Sequence, residues 1–306
     1  MADQREMTSG RFVLDINGES AGFVKKFSGF AMEADIVAND VGPDIVQRKQ
    51  VANTKWTPGK AAIGIGMGNE MYQWIKAAFD QGAVTRSGSL TTADFNYKAT
   101  WVWAFQDALI TSLTVPKLDG SSKEAAYFDF EFEAEQVRWS PGGGADVRDK
   151  AGPNARQRPW LCSNFRVEMG GLPCNRVASV DALTWKCAVA SDVPGSVHRA
   201  AKRPAKVTVP DIKLSISMAD FGPWAESARR WFVDGQHLNE NEMQGRIVFL
   251  DSNMKDELGA IDLINCGFKR FSQDDLEANS EKIARFDVEL YVEKMGFTLN
   301  GLDARR

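Results

Sequence analysis

The chain has 306 residues, of which 43% are hydrophobic and 25% charged, and its formal net charge is −4. These values are typical of a globular protein large enough for two domains, and no apolar run reaches the roughly 18 residues that would span a membrane. The mild negative charge predicts no general attraction to nucleic acid. The polar first residues predict no secretory signal, so we expect synthesis in the cytoplasm.

The most informative feature of the sequence is an internal repeat. Residues 11–139 and 164–297 align at an offset of about 153, with similar patterns in the same order. A repeat of this length predicts two domains rather than a solenoid, whose repeating units are much shorter. We therefore expect a first unit at residues 11–139 and a second unit at residues 161–299. The other segments are predicted to be an N-terminal arm (1–10), a Gly- and Pro-rich linker (140–160) and a loose C-terminal tail (300–306).

The elements of the first unit can be predicted in chain order. Residues 12–18 alternate between apolar and polar and end in Asn-Gly, which indicates a strand and a tight hairpin turn. Residues 38–60 are polar, with Pro and Gly, and predict a long loop. Apolar residues then recur at helical spacing over 69–79, with Asn69 as the predicted N-cap. Residues 86–105 predict two further strands around a turn.

The second unit repeats these patterns. Residues 190–209 predict a second long loop, and residues 220–232 predict a helix with Asp220 near its cap and Pro223 in its first turn. Matching polar residues mark the same hairpin in both units: Asp94, Asn96 and Lys98, then Asp251, Asn253 and Lys255. The tryptophans predicted to lie in the core are Trp74, Trp101, Trp103, Trp224 and Trp231. One helix on an antiparallel sheet in each unit predicts an α+β fold that is mainly β.

Each unit ends in a strand whose carboxylates alternate with apolar residues. The period of two places all carboxylates on one face and the apolar side chains on the core. This face is either a solvated outer surface or the wall of a pore that repels a passing polyanion, and both explanations remain open. Regular spacing does not indicate a general acid–base pair. The candidate wall carboxylates are Asp129, Glu131, Glu133, Glu135, Asp287, Glu289 and Glu293.

The sequence offers no catalytic constellation. Two histidines, His198 and His237, exclude a multi-histidine metal site, and neither has a cysteine partner at zinc spacing. The four cysteines lie in the second unit and are predicted to be buried free thiols. The glycine run at 64–68 lacks the third glycine of a dinucleotide-binding loop, so closely packed small residues explain it better. We expect no enzyme activity, cofactor or metal.

The order of these landmarks resembles the tail-tube protein family of contractile-tailed phages and related injection particles. The first unit carries the family's Gly-Phe…Ser-Gly segment at 22–29, the tryptophan helix at 72–75, Gly82, the Asp94 hairpin, and a strand leading into Asp-Ala…Ser-Leu…Pro at 107–116. The second unit matches more loosely, since Ser28-Gly29 is replaced by Asp181-Ala182 and the proline is missing.

This resemblance implies two tandem antiparallel β-barrel or sandwich domains, each with a flanking helix. It also implies six-membered rings that stack into a hollow tube for DNA or effector proteins, with sheath, baseplate and tape-measure proteins as partners. Because the units are duplicated, we expect three chains in each pseudo-hexameric ring of a phage tail or injection particle. The family's long loops contact neighbouring rings, which makes these residues candidates for stacking: Asp40, Asp44, Arg48, Lys49, Lys55, Lys60, His198, Arg199, Lys202, Arg203 and Lys206.

Several alternatives stay open at this stage. The chain could form a baseplate or tube-initiating ring of the same apparatus. It could also be a monomeric, duplicated β-barrel that binds a small ligand. The basic cluster at 198–206 either binds phosphate or forms an interaction loop that pairs with acidic neighbours.

Overall fold

The computed structural model describes residues 11–39, 47–80, 84–151, 160–192, 201–274 and 283–301. Antiparallel β-structure dominates these residues, and each unit carries one main helix. The predicted α+β class, mainly β, is confirmed.

The first unit contains strands β1–β11 and helix α1, and a short helix α2 follows it. In chain order they are β1 (Phe12–Ile16), β2 (Glu19–Ser20), β3 (Val24–Ser28), β4 (Met32–Asn39), β5 (Arg48–Trp56), β6 (Gly59–Ile63), α1 (Asn69–Phe79), β7 (Arg86–Ala93), β8 (Ala99–Val115), β9 (Leu118–Asp119), β10 (Phe128–Glu133), β11 (Gln136–Pro141) and α2 (Arg148–Ala151).

The second unit contains strands β12–β19 and helix α3. In chain order they are β12 (Phe165–Met169), β13 (Val177–Val180), β14 (Leu183–Asp192), β15 (Ala201–Thr208), β16 (Ile212–Ser217), α3 (Phe221–Phe232), β17 (Met243–Leu250), β18 (Glu257–Gln273) and β19 (Arg285–Leu299). Short 3₁₀ turns cover Met218–Asp220 and Asn239–Asn241.

Both large sheets contain strands from both units. The ten-stranded sheet runs β2-β1-β7-β8-β10-β6-β3, β11 also pairs with β8, and β14 of the second unit joins β8 and brings β15 with it. The seven-stranded sheet runs β12-β17-β18-β19-β16-β13-β9, where β9 comes from the first unit. The hairpin β4–β5 forms a separate two-stranded sheet. The two units are therefore joined by exchanged strand pairings, beyond the covalent linker.

Strands pair in the same register in the two units. Phe128 lies opposite Ile63 in the first unit, and Phe286 lies opposite Ile216 in the second. Val24 lies opposite the same Ile63, as Val177 lies opposite Ile216. Positions in the two units can therefore be matched residue by residue.

The hydrophobic core is continuous across the two units. Phe128 of the first unit stacks on Trp160, at 5.3 Å between ring centroids, and contacts Phe249 and Phe297 of the second unit at 5.7 and 5.5 Å. The two units therefore share one core in the described structure. Burial of aromatic surface on this scale stabilises the packing of one unit on the other.

The predicted turns are confirmed, and one helix cap is corrected. Asn17 and Gly18 both have positive φ, 49° and 86°, as a two-residue type I′ turn requires. Helix α1 begins at Asn69 and its N-cap is Gly68, so Asn69 is not the cap. A Cβ atom at Gly68 would lie 2.1 Å from the carbonyl oxygen of Ser20, so the close backbone approach there excludes larger residues. Asp220 is the N-cap of α3, as predicted.

The two predicted long loops are mostly hairpins. Strand β5 occupies much of residues 38–60, and strand β15 occupies much of residues 190–209. No alternation marks β5 because its side chains at 48–52 and 54–55 are all exposed, so neither face of this strand requires apolar residues. Residues 40–46 and 193–200 lie outside the described part of the chain.

Two further expectations differ from the structure. Trp101 is 44% exposed and Trp103 is only half-buried, whereas Trp74, Trp224 and Trp231 are buried as predicted. The linker carries structure: α2 lies within it, and Lys150 Nζ of α2 is 2.9 Å from Asp15 Oδ2 of β1. The N-terminal arm, residues 152–159 of the linker, and residues 302–306 of the tail lie outside the described residues.

Candidate assembly surfaces

One antiparallel ladder joins the two units. Val115 of β8 lies opposite Leu183 of β14, and Leu118 of β9 lies opposite Val180 of β13. Both pairs belong to a single register, so β9 continues β8 and β14 continues β13 within one ladder. When β8 with β9 and β13 with β14 are each counted as one interrupted strand, the two sheets join into a shared sheet β3-β6-β10-β8/β9-β14/β13-β16-β19-β18, with four such strands from each unit.

One face of this shared sheet is polar. It lines a groove of about 310 Å³ in the first unit and one of about 460 Å³ in the second. Matching positions of the two grooves carry the same charges: Lys60, Asp129 and Glu131, then Lys213, Asp287 and Glu289. Lys60 Nζ lies 3.1 Å from Glu131 Oε1. The face carries charges of both signs, so it is not the uniformly acidic wall that the sequence suggested.

The groove of the second unit is bordered by further cations. Lys269 Nζ donates hydrogen bonds to Asp211 and, at 2.8 Å, to Glu289. These hydrogen bonds, that to Asp211 foremost, raise the pKa of Lys269 above its usual range. Arg270 and Arg285 line the same groove. The carboxylates of this face are therefore held among cations.

The predicted wall carboxylates divide into three groups. Asp129, Glu131, Asp287 and Glu289 lie on the polar face. Glu133 and Glu135 instead contact the second unit: Lys202 Nζ donates to Glu133 Oε2 at 3.0 Å, and Lys202 N donates to Glu135 Oε1 at 2.8 Å. Glu293 accepts a hydrogen bond from Asn265 Nδ2 at 2.8 Å. The hypothesis that the basic cluster pairs with acidic neighbours fits Lys202.

The predicted stacking residues lie mainly on the two hairpins. They are placed on β5 (Arg48, Lys49, Lys55), on β6 (Lys60) and on β15 (Lys202, Arg203, Lys206). The remaining four, Asp40, Asp44, His198 and Arg199, lie outside the described residues. Lys60 is on the polar face of the shared sheet and does not belong with the hairpin residues.

We expect the Lys202–Glu133 pair to contribute a modest coupling energy to stability. Its side chains are 16% and 31% exposed, so a double-mutant cycle with Lys202→Ala and Glu133→Ala should give about 0.5–1 kcal/mol and less at high salt. The measurement is the free energy of unfolding of each variant in denaturant. The more exposed pair Lys55–Asp35, 3.5 Å apart, is the matched control and should show no measurable coupling. Equal coupling in the two pairs would contradict this prediction.

The hairpin β14–β15 of the second unit docks on the first unit. Trp185 of β14 is 3% exposed, and its ring centroid lies 5.6 Å from that of Phe79 at the end of α1. Ala78 and Ile110 border the same small space around Trp185. The large indole is thus packed among aromatic, small and aliphatic neighbours of the receiving unit, Trp74 included.

The hairpin β4–β5 and the end of α3 correspond to the hairpin β14–β15 and the end of α1, and both carry exposed apolar side chains. On the hairpin β4–β5, the exposed apolar residues are Met32, Ile36, Val37 and Val51. At the end of α3, Phe232 is 51% and Val233 is 75% exposed. Sequence reasoning missed these residues, and the available signal was large apolar side chains within otherwise polar segments.

The described residues hold no arrangement suited to catalysis. Burial raises the pKa of the Cys266 thiol to about 12 and that of Cys174 to about 11, so both thiols stay protonated near neutral pH. All four cysteines are free. Over the described ranges we find no group of three or more His, Cys, Asp or Glu residues placed to hold a metal ion. No helix of the described chain has the length and apolar character that crossing a membrane requires.

These features define a β-rich chain with a shared sheet and exposed apolar side chains. Residues 8–138 match the family model of the T4-like virus tail tube protein gp19. Over these residues the chain is similar to that tail tube family, in agreement with the resemblance seen in the sequence. The family consists of structural proteins and not of enzymes. No curated protein matches the chain.

Three solved structures are similar to part of the chain. The sheath–tube complex of the extracellular contractile injection system PVC, in its extended state, contains a chain with 19% identity and a TM-score of 0.41, over 46% of this chain and 95% of that one. The tube-terminating cap of the anti-feeding prophage contains a chain with 22% identity and a TM-score of 0.41, over 46% of this chain and 95% of that one. The anti-feeding prophage baseplate contains a chain with 15% identity and a TM-score of 0.35, over 44% of this chain and 89% of that one.

Proposed function

We propose that the protein is a tube subunit of a phage tail or contractile injection system, arising by tandem duplication of a tail-tube domain. Three chains form a pseudo-hexameric ring, and the rings stack into a hollow conduit for DNA or effector proteins. The observation that carries this proposal is the β8–β14 ladder, because it is a seam between two similar units that is already formed within one chain.

Unpaired strand edges support the closure of the ring. At one end of the shared sheet, β3 pairs only with β6 among the described residues. At the other end, residues 267–273 of β18 pair with β19 alone in the described part of the chain. Proteins seldom leave such edges open, and closing a sheet into a barrel removes them. Three chains with eight strands each would close a barrel of twenty-four strands.

The polar face of the shared sheet is our candidate lumen wall. Its carboxylates Asp129, Glu131, Asp287 and Glu289 are interspersed with Lys60, Lys213 and Arg270. A surface with both charges close together gives a weak net field, so a polyanion can pass along it without being held tightly. In this arrangement the other side of the sheet, which carries α1 and α3, faces the sheath. Baseplate and tape-measure proteins are the further expected partners.

Native mass spectrometry of assembled and then dissociated rings tests the proposal. We expect a species of three chains, and electron microscopy of the same sample should show stacked rings with an axial channel. A ring of six chains would contradict the pseudo-hexameric arrangement. A stable monomer would contradict the tube function as a whole. Rings that never stack would favour a terminating or baseplate ring of the same apparatus.

A further inference from the structure

The docked hairpin β14–β15 provides a template for contacts between chains. Within one chain, β14 of the second unit pairs with the part of β8 that extends beyond β7, and Trp185 fills the space beside α1. The hairpin β4–β5 is the matching element of the first unit. In the described structure it pairs with no strand outside itself.

The strand registers define which residues correspond. Glu33 lies opposite Lys55 in the free hairpin, as Lys186 lies opposite Thr208 in the docked one, so residues 24–39 match residues 177–192. Thr114 lies opposite Asp129 as Ser272 lies opposite Asp287, so residues 109–115 match residues 267–273. The helix ends correspond as well, because Phe79 ends α1 and Phe232 ends α3.

We infer that the hairpin β4–β5 of one chain docks on the second unit of another copy of the chain, where β4 pairs with the free edge of β18. The template places Met32 opposite Phe271 and Glu33 opposite Arg270, because Trp185 lies opposite Leu113 and Lys186 opposite Ser112. This inference rests on the proposed ring and specifies the contact that closes it.

Side-chain volumes support this pairing. Inside the chain the side chain inserted by the hairpin is the large Trp185, and the residues that receive it include the small Ala78 and the aliphatic Ile110. In the inferred contact between chains the inserted side chain is the smaller Met32, and the residues at the receiving positions are Trp231 and Phe268. At these two positions the receiving residues are larger where the inserted side chain is smaller, whereas Trp74 and Leu109, which border the same space, correspond to the smaller Ser227 and Gly267. Met32 is 57% exposed and would be buried by docking, together with Phe232.

Charge supports the same register. Residues directly opposite each other in an antiparallel pair share one face, so Glu33 would meet Arg270 on the polar side of the sheet. Both residues are exposed in the single chain. The template also places the backbone of Lys49 beside Glu293, because the backbone N–H of Lys202 donates to Glu135 at the matching position within the chain. The Glu33–Arg270 contact is therefore the one that joins opposite charges.

Paired cysteines test the contact directly. Glu33→Cys combined with Arg270→Cys should form disulfides between chains on mild oxidation, because directly opposite strand residues lie within disulfide reach. We expect denaturing, non-reducing gels to show covalent dimers and then closed trimers. Ser112→Cys with Lys186→Cys is the positive control, which should lose both thiols without any increase in mass above one chain.

A third pair controls for register. Glu289 lies on β19, opposite Arg270 of β18. In the docked arrangement β18 would separate β4 from β19, so Glu33→Cys with Glu289→Cys places the cysteines two strands apart and should not crosslink. The oxidised wild type controls for the native thiols. The inference is overturned if the wild type forms rings and the Ser112/Lys186 control closes, yet Glu33→Cys/Arg270→Cys gives no interchain product. If the wild type forms no rings, the proposed function itself fails and this contact fails with it.

Charge reversal provides an independent measurement. Glu33→Arg or Arg270→Glu alone should raise the protein concentration needed for half-assembly about tenfold or more, since like charges then face each other. The double reversal should restore assembly toward the wild type. Single reversals without effect on assembly would contradict the predicted register.

Discussion

Replacing Trp185 by alanine is expected to lower the free energy of unfolding by about 3–5 kcal/mol, the usual range for a buried tryptophan. Trp185 is 3% exposed and packs on Phe79 where the second unit meets the first. Truncation leaves a cavity beside α1 and exposes the β8–β14 seam to water. Denaturant unfolding, followed by circular dichroism, measures the change.

Trp101→Ala is the matched control for this substitution. Trp101 lies on β8, the same strand that receives β14, but it is 44% exposed. We expect its replacement to change the free energy of unfolding by about 0.5 kcal/mol or less. A Trp185→Ala variant as stable as Trp101→Ala would show that the hairpin β14–β15 does not dock as described.

The second large effect is expected for Phe128→Ala. Phe128 is fully buried and contacts Trp160, Phe249 and Phe297, so it connects the first unit to the second. We expect a loss of about 3–5 kcal/mol. Because the core is continuous, protection from hydrogen exchange should fall together in β7 of the first unit and β18 of the second.

Hydrogen exchange followed by mass spectrometry measures the protection of each unit separately in this experiment. Peptides covering β7 and β18 should lose protection in parallel in Phe128→Ala and remain unchanged in Trp101→Ala. Loss of protection confined to β7 would mean that the units are stabilised independently. The shared core would then have no energetic consequence.

Local features were predictable from the sequence where short-range physics determines them. The Asn17-Gly18 turn needs two residues with positive φ, which that pair provides at low cost. In the Asp94 turn, Asp94 Oδ1 accepts hydrogen bonds from Asn96 N at 2.8 Å and Lys98 N at 2.9 Å. The acidic strands alternate because one face is buried in the core. The α+β class follows from such local signals.

The exchange of strands between the units was not predictable in this way. Pairing of β14 with β8 joins Leu183 to Val115, and no periodicity in either segment identifies the other. For the same reason the sequence groups Glu133 and Glu135 with the other carboxylates, although they contact Lys202. Apolar content alone predicts a buried Trp101 because it does not reveal which face of β8 is open.

The joining of two units in one chain changes how assembly depends on concentration. The β8–β14 seam forms during folding, so its formation is first-order in protein, whereas a seam between separate subunits requires a collision. Covalent connection replaces the bulk concentration of a partner with a high effective concentration. A ring of three such chains would need only two encounters between separate molecules before it closes, and the entropy of joining the other pairs of units is already lost when each chain folds.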